Sequence, residues 1–261
     1  MSEAAVTVRD DDRGVRTLTL ARPERRNAFD DGLIAELTAR LEQAAHDDAV
    51  RLVVLTGAGP AFSAGADIAW MRRAADYDEE ANLEDARALA RLMTTLDRLP
   101  KPTIARVDGA AIGGGVGLVA ACDVAVASET AVFALTEVRL GLIPAVIAPF
   151  VVRAIGPRPA RRLFLTAERI DAAAARDLGL VHDTVPGDML DDHVETFVGH
   201  LLQGGPNALA RAKRLVDVVA QRQPDDESLE ATAQLIARIR AGDEAKEGLA
   251  AFLDKRTPNW R

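Results

Sequence analysis

KPTIARVDGAAIGGGVG, at residues 101–117, joins a strand-like run to a glycine-rich loop. The apolar character of Thr103–Val107 predicts a buried strand, and three consecutive glycines, Gly113, Gly114 and Gly115, follow it. Small residues at the start of a helix leave several backbone N–H groups unpaired, and no Cβ blocks the approach of a ligand. Such N–H groups suit an anion or a developing oxyanion. We therefore predict a ligand site where this strand meets the next helix.

A second loop of this kind comes earlier in the chain, AFSAGADI at residues 61–68, and it follows the strand-like run RLVVLT at 51–56. A turn that only allows close packing would explain the later glycine loop equally well, so the pair of loops is the stronger indication of a site. A dinucleotide fingerprint does not fit, because its third glycine would fall at Leu118 and no acidic ribose partner follows. A Walker A loop does not fit either, since no Gly-Lys-Ser/Thr follows.

Strand and helix patterns alternate on both sides of these loops. Val15–Leu20 is predicted to be a strand, and residues 124–127 and 132–135 are two more. Residues 30–47 and 84–99 carry apolar side chains at helical spacing, and Asp30 is a plausible N-cap of the first of these helices. Such alternation indicates an α/β fold.

The pattern beyond residue 145 is mainly helical. The sequence QGGP at residues 203–206 interrupts it and is the best candidate for a boundary. We therefore divide the chain into a core of residues 1–202 and a helical C-terminal region of residues 203–261. The helices predicted in this half cover residues 157–165, 172–178, 190–202, 208–222, 228–241 and 244–255.

Composition and charge exclude several classes of protein. The 261 residues carry a formal net charge of −8, which disfavours a nucleic-acid partner because phosphate binding needs a basic face. Cys122 is the only cysteine, so no disulfide can form within the chain, and the four histidines show no metal-ligand spacing. The first residues lack the pattern of a secretory signal, and no apolar run is long enough to span a membrane. We expect a cytoplasmic protein without a metal site.

The order and spacing of several motifs resemble one known family. FSAGADI at 62–68, KPTIARVDGAAIGGG at 101–115, ACDVAVAS at 121–128 and Glu137 with GLIP at 141–144 resemble the signature of the enoyl-CoA hydratase/isomerase (crotonase) superfamily. The segments RPERRNAF and EGLAAFLDKRTPN resemble the two ends of that family, so the resemblance covers nearly the whole chain. It implies an α/β fold, a crotonase-type spiral of ββα units, with a helical C-terminal trimerisation region. The expected assembly is a homotrimer or a dimer of trimers.

The resemblance also implies a set of site residues. Ala66 and Gly114 would supply the two N–H groups of an oxyanion hole for a thioester carbonyl. Ala64, Asp67 and Ile68 would line the adenine site of coenzyme A.

Three further residues are implied at the nucleotide end of the ligand. Arg25 resembles a basic residue near the pantetheine or the phosphates, and Phe252 and Lys255 resemble tail residues of the same or a neighbouring subunit. A solvated charge on an exposed helix is an equal alternative for Lys255. The expected partner is an acyl-CoA substrate, with no nucleic acid and no membrane. Coenzyme A is part of that substrate, so no separate cofactor is expected.

One of the family's two carboxylates is missing. The best-known hydratase pattern has a glutamate three residues after the oxyanion glycine and another 20 residues further on; here these positions hold Gly117 and Glu137. Apolar neighbours of Glu137 predict partial desolvation, which raises the pKa of a carboxyl group and suits acid–base catalysis. The missing side chain is expected to enlarge the pocket for a branched or carboxylated acyl group. Arg139 or Arg153 would then pair with a substrate carboxylate.

These residues favour an enoyl-CoA hydratase that adds water across the 2,3-double bond. The runs GGGVGLVAACDVAVA and LTEVRLGLIPAVIAPFVVRAIG resemble bacterial 3-methylglutaconyl-CoA hydratase-type proteins, so we expect a branched or carboxylated substrate of that kind. One alternative is an isomerase that moves a 3-enoyl double bond to position 2 with Glu137 alone. Another is a non-catalytic acyl-CoA-binding protein, although Glu137 and both loops argue against it.

Overall fold

The computed structural model describes residues 4–220 and 223–260. In chain order its strands are β1 (Val6–Asp10), β2 (Val15–Leu20), β3 (Leu52–Gly57), β4 (Ala61–Ser63), β5 (Thr103–Val107), β6 (Ala110–Ile112), β7 (Val124–Ser128), β8 (Val132–Ala134), β9 (Arg169–Asp171) and β10 (Asp183–Val185). Its helices are α1 (Asp31–His46), α2 (Ile68–Ala74), α3 (Glu79–Asp97), α4 (Gly114–Ala121), α5 (Ala148–Ile155), α6 (Pro157–Thr166), α7 (Ala172–Asp177), α8 (Leu190–Leu202), α9 (Pro206–Val219), α10 (Asp226–Arg240) and α11 (Asp243–Leu253).

The strands of the described residues form two sheets, ordered β1-β2-β3-β5-β7-β10 and β4-β6-β8-β9. Pairing is parallel from β2 to β10 and from β4 to β8, whereas β1 and β9 add antiparallel edges. Each of the pairs β3–β4, β5–β6 and β7–β8 places one strand in each sheet. Because helices follow β4 and β6, the chain winds as a spiral of ββα units. The predicted α/β spiral is confirmed.

Helix α1 shows how the sequence pattern produces the core. The Asp30 side chain accepts a hydrogen bond of 2.9 Å from the Leu33 N–H, which caps the helix as predicted. The side chains of Leu33, Leu37 and Leu41 recur at helical spacing and are fully buried. Each such burial contributes about 1.5–3 kcal/mol before the entropy cost of folding is counted. The apolar face of α1 packs against α3 and fixes the layer beside the two loops.

The two glycine-containing loops leave the same edge of the smaller sheet. Strands β4 and β6 pair in parallel, with Ala61 opposite Ala110 and Ser63 opposite Ala111. Since neighbouring parallel strands end at one edge of a sheet, the chain segments that follow them lie side by side. Helix α4 starts from this edge.

The region predicted to be mainly helical also contains β9 and β10, which is a correction to the sequence prediction. Both strands have three residues, and each pairs with the edge of an existing sheet. The predicted boundary falls in the segment between α8 and α9, although the division at residue 203 stays a prediction. Some residues of the predicted regions, and of the predicted helix at 208–222, lie outside the described residues. They are residues 1–3, 221, 222 and 261.

Arg51 joins the C-terminal segment to the core. Its guanidinium donates to the carbonyl oxygen of Trp260 and, over 2.9 Å, to that of Gly204. Among the described residues, no cluster of His, Cys, Asp and Glu could hold a metal ion. The described helices are all too short or too polar to cross a bilayer.

Candidate active site

The first loop is held by a parallel β-bridge to Phe29. The Phe29 N–H donates to the Gly65 carbonyl over 2.6 Å, and the Phe29 carbonyl accepts from the Asp67 N–H over 2.7 Å. Successive N–H groups of an extended chain point to opposite sides, so the N–H of the intervening Ala66 faces away from Phe29. It has no backbone acceptor among the described residues and is available to a ligand.

The second available N–H belongs to Gly114, the first residue of α4. Gly113 precedes it with φ +52°, a left-handed conformation that favours glycine, and donates its own N–H to the Ala134 carbonyl over 2.9 Å. The N–H groups of a first helical turn have no acceptor within the helix. The positive end of the helix dipole also favours negative charge at this point.

Phe29 connects the two loops. A Cβ built on Gly114 would lie 2.9 Å from Cε2 of the Phe29 ring, and the backbone of the same phenylalanine holds Ala66. Phe29 therefore contacts both loops, and the role of Ala66 and Gly114 as oxyanion-hole donors stays a prediction. Sequence analysis did not single out Phe29. Its signal lay in the segment RPERRNAF, whose contact with both loops depends on the tertiary fold.

Glu137 begins a short 3-10 helix, Glu137–Leu140, beside the start of α4. A Cβ built on Gly113 would lie 3.1 Å from its Oε1 atom. The other oxygen, Oε2, is buried and has no hydrogen-bond partner among the described residues. Burial raises the pKa of Glu137 above its ordinary value, against a smaller lowering by a hydrogen bond to its own backbone. A half-buried carboxyl with a raised pKa at the start of a helix suits acid–base catalysis.

This burial predicts a pH-dependent stability. A carboxyl group whose pKa is raised by folding stabilises the fold below its unfolded pKa, and the stabilisation is lost as pH rises through the folded pKa. The variant Glu137→Gln removes this titration. We expect the melting temperature of the wild type to fall relative to that of the variant as pH rises from about 4 to about 8. Thermal melts in matched buffers measure the difference, and two parallel curves would contradict the assignment.

The space beside Gly117 is filled, which corrects the expectation that this glycine enlarges the acyl pocket. A Cβ built on Gly117 would lie 2.4 Å from Cγ2 of Ile147 and 3.2 Å from Cε of Met93. Ile147, Met93 and Gly117 itself are all buried. The space that a side chain at position 117 would occupy, which we call the Gly117 notch, is filled by Ile147. It therefore offers no room for a branched or carboxylated acyl group.

The candidate adenine residues surround the start of α2. Asp67 caps this helix, accepting from the N–H groups of Ala69 (2.8 Å) and Trp70 (3.1 Å), and its Oδ2 lies 3.3 Å from Nη1 of Arg25. Burial raises the pKa of Asp67, but these hydrogen bonds and the nearby arginine charges outweigh it, so the pKa lies below its ordinary value. Ile68 is exposed at the same place. Arg25, Asp67 and Ile68 thus lie together, and contact with a nucleotide stays a prediction.

The other predicted residues are less closely grouped. Ala64 donates its N–H to the Arg26 carbonyl over 2.9 Å in the first loop. Phe252 is 80% exposed at the end of α11, and Lys255 follows it on the surface with φ +55°. Whether the tail reaches a ligand in its own or a neighbouring subunit stays a prediction.

Both arginines considered for a substrate carboxylate have partners. Arg153 forms an ion pair with Asp97 and lies 3.6 Å from Asp217, so its charge is already compensated. Arg139 donates one N–H to the Ala167 carbonyl over 2.8 Å. The geometry therefore disfavours Arg153 as the partner of an acidic substrate.

The two glycine-containing loops, with the Glu137 carboxyl beside the start of α4, form a candidate enzyme site. The chain belongs to the enoyl-CoA hydratase/isomerase family, whose model matches residues 10–261. It is 37% identical over 252 residues to the 2,3-dehydroadipyl-CoA hydratase of Escherichia coli, covering 95% of each chain. It is 31% identical over 254 residues to the trans-2-decenoyl-[acyl-carrier-protein] isomerase of Streptococcus mutans, again with 95% of each chain covered.

Solved structures show the same fold. The crystal structure of an enoyl-CoA hydratase from Shewanella pealeana matches with a TM-score of 0.95 and 45% identity, over 98% of this chain and 96% of that one. The relatives include both hydratases and an isomerase, so family membership alone leaves the reaction open between the two.

Proposed function

We propose that the protein hydrates the 2,3-double bond of an enoyl-CoA and that Glu137 is its acid–base carboxyl. The observation that carries the proposal is the carboxyl of Glu137: its Oε2 is buried and has no partner among the described residues, and its Oε1 lies against Gly113 at the start of α4. Buried polar atoms in native proteins nearly always have a partner, and a catalytic role is one explanation of an exception. A substrate or the reacting water would supply that partner.

The proposed reaction uses the two loops and the carboxyl in sequence. The N–H groups of Ala66 and Gly114 donate to the thioester oxygen, which makes the β-carbon electrophilic and stabilises the enolate that forms. The Glu137 carboxylate takes one proton from a water molecule while the water oxygen bonds to the β-carbon. The same carboxyl then returns this proton to the α-carbon as the enolate electrons reform the thioester carbonyl. One carboxyl is sufficient because it receives and returns the same proton.

The alternative reaction is isomerisation. Glu137 would then remove a proton from the α-carbon of a 3-enoyl thioester and return it at the γ-carbon. The absence of a carboxylate at Gly117 favours this alternative, and the named isomerase among the relatives supports it. A protein that only binds acyl-CoA would gain nothing from an unpartnered buried carboxyl, which argues against the non-catalytic alternative.

The proposed substrate carries a carboxylate or a branch on its acyl group, such as 3-methylglutaconyl-CoA. With the Gly117 notch filled, this part rests on sequence resemblance and on the Escherichia coli relative, which is named for a dicarboxylic acyl-CoA. Arg139 is the better candidate for the substrate carboxylate, because it forms no ion pair with the described residues.

An absorbance assay of the conjugated enoyl-thioester band tests both reaction and substrate. We expect the band to disappear with 2-enoyl substrates, and faster in kcat/KM with 3-methylglutaconyl-CoA than with crotonyl-CoA. Appearance of the band from a 3-enoyl-CoA, without loss from 2-enoyl substrates, would replace hydration by isomerisation. A preference for crotonyl-CoA would reject the substrate class and leave hydration standing. No change with any substrate would reject both reactions.

We also propose that the C-terminal helices mediate a homotrimer or a dimer of trimers. Helices α9 to α11 expose large apolar side chains, and such faces favour packing against another chain. These side chains are Val216, Val218, Val219, Leu229, Ile236, Leu249, Phe252 and Leu253. A variant lacking residues 208–261 is therefore expected to form monomers or aggregates, measured by light scattering. A well-behaved, active monomer would contradict the proposal. A location in the cytoplasm stays a prediction.

A further inference from the structure

Two glycines at the start of α4, Gly113 just before the helix and Gly117 within it, each lie against a side chain from elsewhere in the fold. Gly117 donates its N–H to the Gly113 carbonyl over 3.2 Å, so the two lie one helical turn apart. Oε1 of Glu137 lies 3.1 Å from the Cβ position of Gly113, and Cγ2 of Ile147 lies 2.4 Å from that of Gly117. The Glu137 carboxyl and the Ile147 side chain therefore contact positions that lie one helical turn apart at the start of α4.

We propose that Ile147 is a positioning residue of this site, which fills the Gly117 notch in place of a second carboxylate and keeps water out from beside Glu137. The inference rests on the proposed acid–base role of Glu137. In this inference, one hydrophobic side chain, Ile147, fills the space that a second carboxylate would occupy, so that Glu137 is the only carboxyl of the site.

The side chain of Ile147 has little freedom to move away from Gly117. A Cβ on Gly117 would lie 2.4 Å from Cγ2 and 2.9 Å from Cβ of Ile147. Both of these Ile147 atoms lie within two bonds of its Cα. A β-branched side chain has few alternative rotamers, so it cannot swing away at low cost. Ile147 is the N-cap residue of α5 and is 3% exposed, and Met93, fully buried, closes the notch from another direction. Position 117 can therefore gain a side chain only if position 147 loses one.

We attribute part of the desolvation of Glu137 to the packing of Ile147 against Gly117. Glu137 owes its raised pKa mainly to burial, and Ile147 is a buried apolar side chain packed against the next turn, at Gly117. Helix α4 has no ionisable side chain of its own, from Gly114 to Ala121. Truncating Ile147 would open a cavity next to the carboxyl, and a polar cavity of sufficient size admits water.

The packing of Ile147 against Gly117 is tested by thermal melts of Gly117→Ala, Ile147→Ala and the double variant. We expect Gly117→Ala to lower the melting temperature strongly in the wild-type background and only slightly in the Ile147→Ala background, because the obstacle is then gone. Additive effects would overturn the proposed contact. This arm needs no enzymatic activity, so it gives an answer even if the proposed reaction is wrong.

The functional part is tested by kcat and KM of Ile147→Ala, with Ile155→Ala as the matched control. Ile155 is a buried isoleucine of the same helix, 6% exposed, and forms no part of the notch. We expect Ile147→Ala to lower kcat at least about tenfold with KM changed less than about twofold. Ile155→Ala should leave kcat within about twofold of wild type at a similar loss of stability.

A conservative variant completes the test. Ile147→Val keeps the Cγ2 methyl that fills the notch and is expected to retain wild-type kcat. Equal losses of kcat in Ile147→Ala and Ile155→Ala, or a loss in Ile147→Val equal to that in Ile147→Ala, would overturn the positioning role. If wild-type protein turns over no enoyl-CoA, the proposed function fails, and the melting cycle still decides whether Ile147 and Gly117 are interlocked.

Discussion

Glu137→Gln is expected to fold normally and to lose nearly all turnover of an enoyl-CoA. Glutamine keeps the shape of the side chain but cannot carry a proton between water and the α-carbon. The position at which the family's other glutamate would stand is Gly117, and its notch is filled by Ile147. Positioned acid–base groups typically contribute about 10²–10⁴-fold to the rate. The variant should lose at least this factor in kcat, measured with saturating substrate.

The matched control for this variant is Glu129→Gln, which makes the same chemical change at an exposed position. It should leave kcat and the melting temperature unchanged. If Glu137→Gln keeps activity within about tenfold of wild type, a difference of about 1.4 kcal/mol, another residue must carry the protons. The hydratase and isomerase proposals would then both need a different acid–base group.

The fold could be predicted from the sequence where a signal is local and long enough. Helix α1 repeats leucines at helical spacing behind a capping Asp30, and the strand Val15–Leu20 was predicted with the bounds that the structure has. The short strands β4 and β6 carry no such signal. Each has three residues and exists because parallel pairing satisfies its backbone groups, and this pairing joins Ala61 to Ala110 across the fold. The same reason explains why β9 and β10 were overlooked in the C-terminal half.

The candidate site divides in a similar way. The residues with a distinctive type or spacing, Glu137 and the glycines of both loops, could be selected from the sequence. The sequence could not predict whether the space beside Gly117 is empty, because the residue that fills it, Ile147, is 30 positions away in the chain. The role of Phe29 could not be predicted either, because its contacts are also with residues distant in sequence. A phenylalanine near the N-terminus is an ordinary core residue until tertiary structure places its ring against Gly114 and its backbone against the first loop.

Gly114→Pro is expected to reduce kcat/KM by roughly 10²–10³-fold, the usual cost of losing one oxyanion-hole donor. Proline lacks the N–H that Gly114 would donate to the thioester oxygen. Gly114 is the first residue of α4, where proline is well tolerated because the helix itself makes no use of that N–H. The helix should therefore form, and the loss should come from the missing donor.

Gly114→Ala is the control that isolates this donor. Both variants add a Cβ that would lie 2.9 Å from the Phe29 ring, so Gly114→Ala reports the cost of that contact while keeping the N–H. Proline adds the Cγ and Cδ of its ring and removes the N–H. The ratio of their kcat/KM values reports the lost hydrogen bond when thermal melts and light scattering show that the proline ring has changed neither the fold nor the oligomer. A ratio near one would mean that the thioester oxygen is not bound at Gly114. In that case the free N–H groups of α4 would face another part of the ligand, and Ala66→Pro would show whether the first loop carries the oxyanion without them.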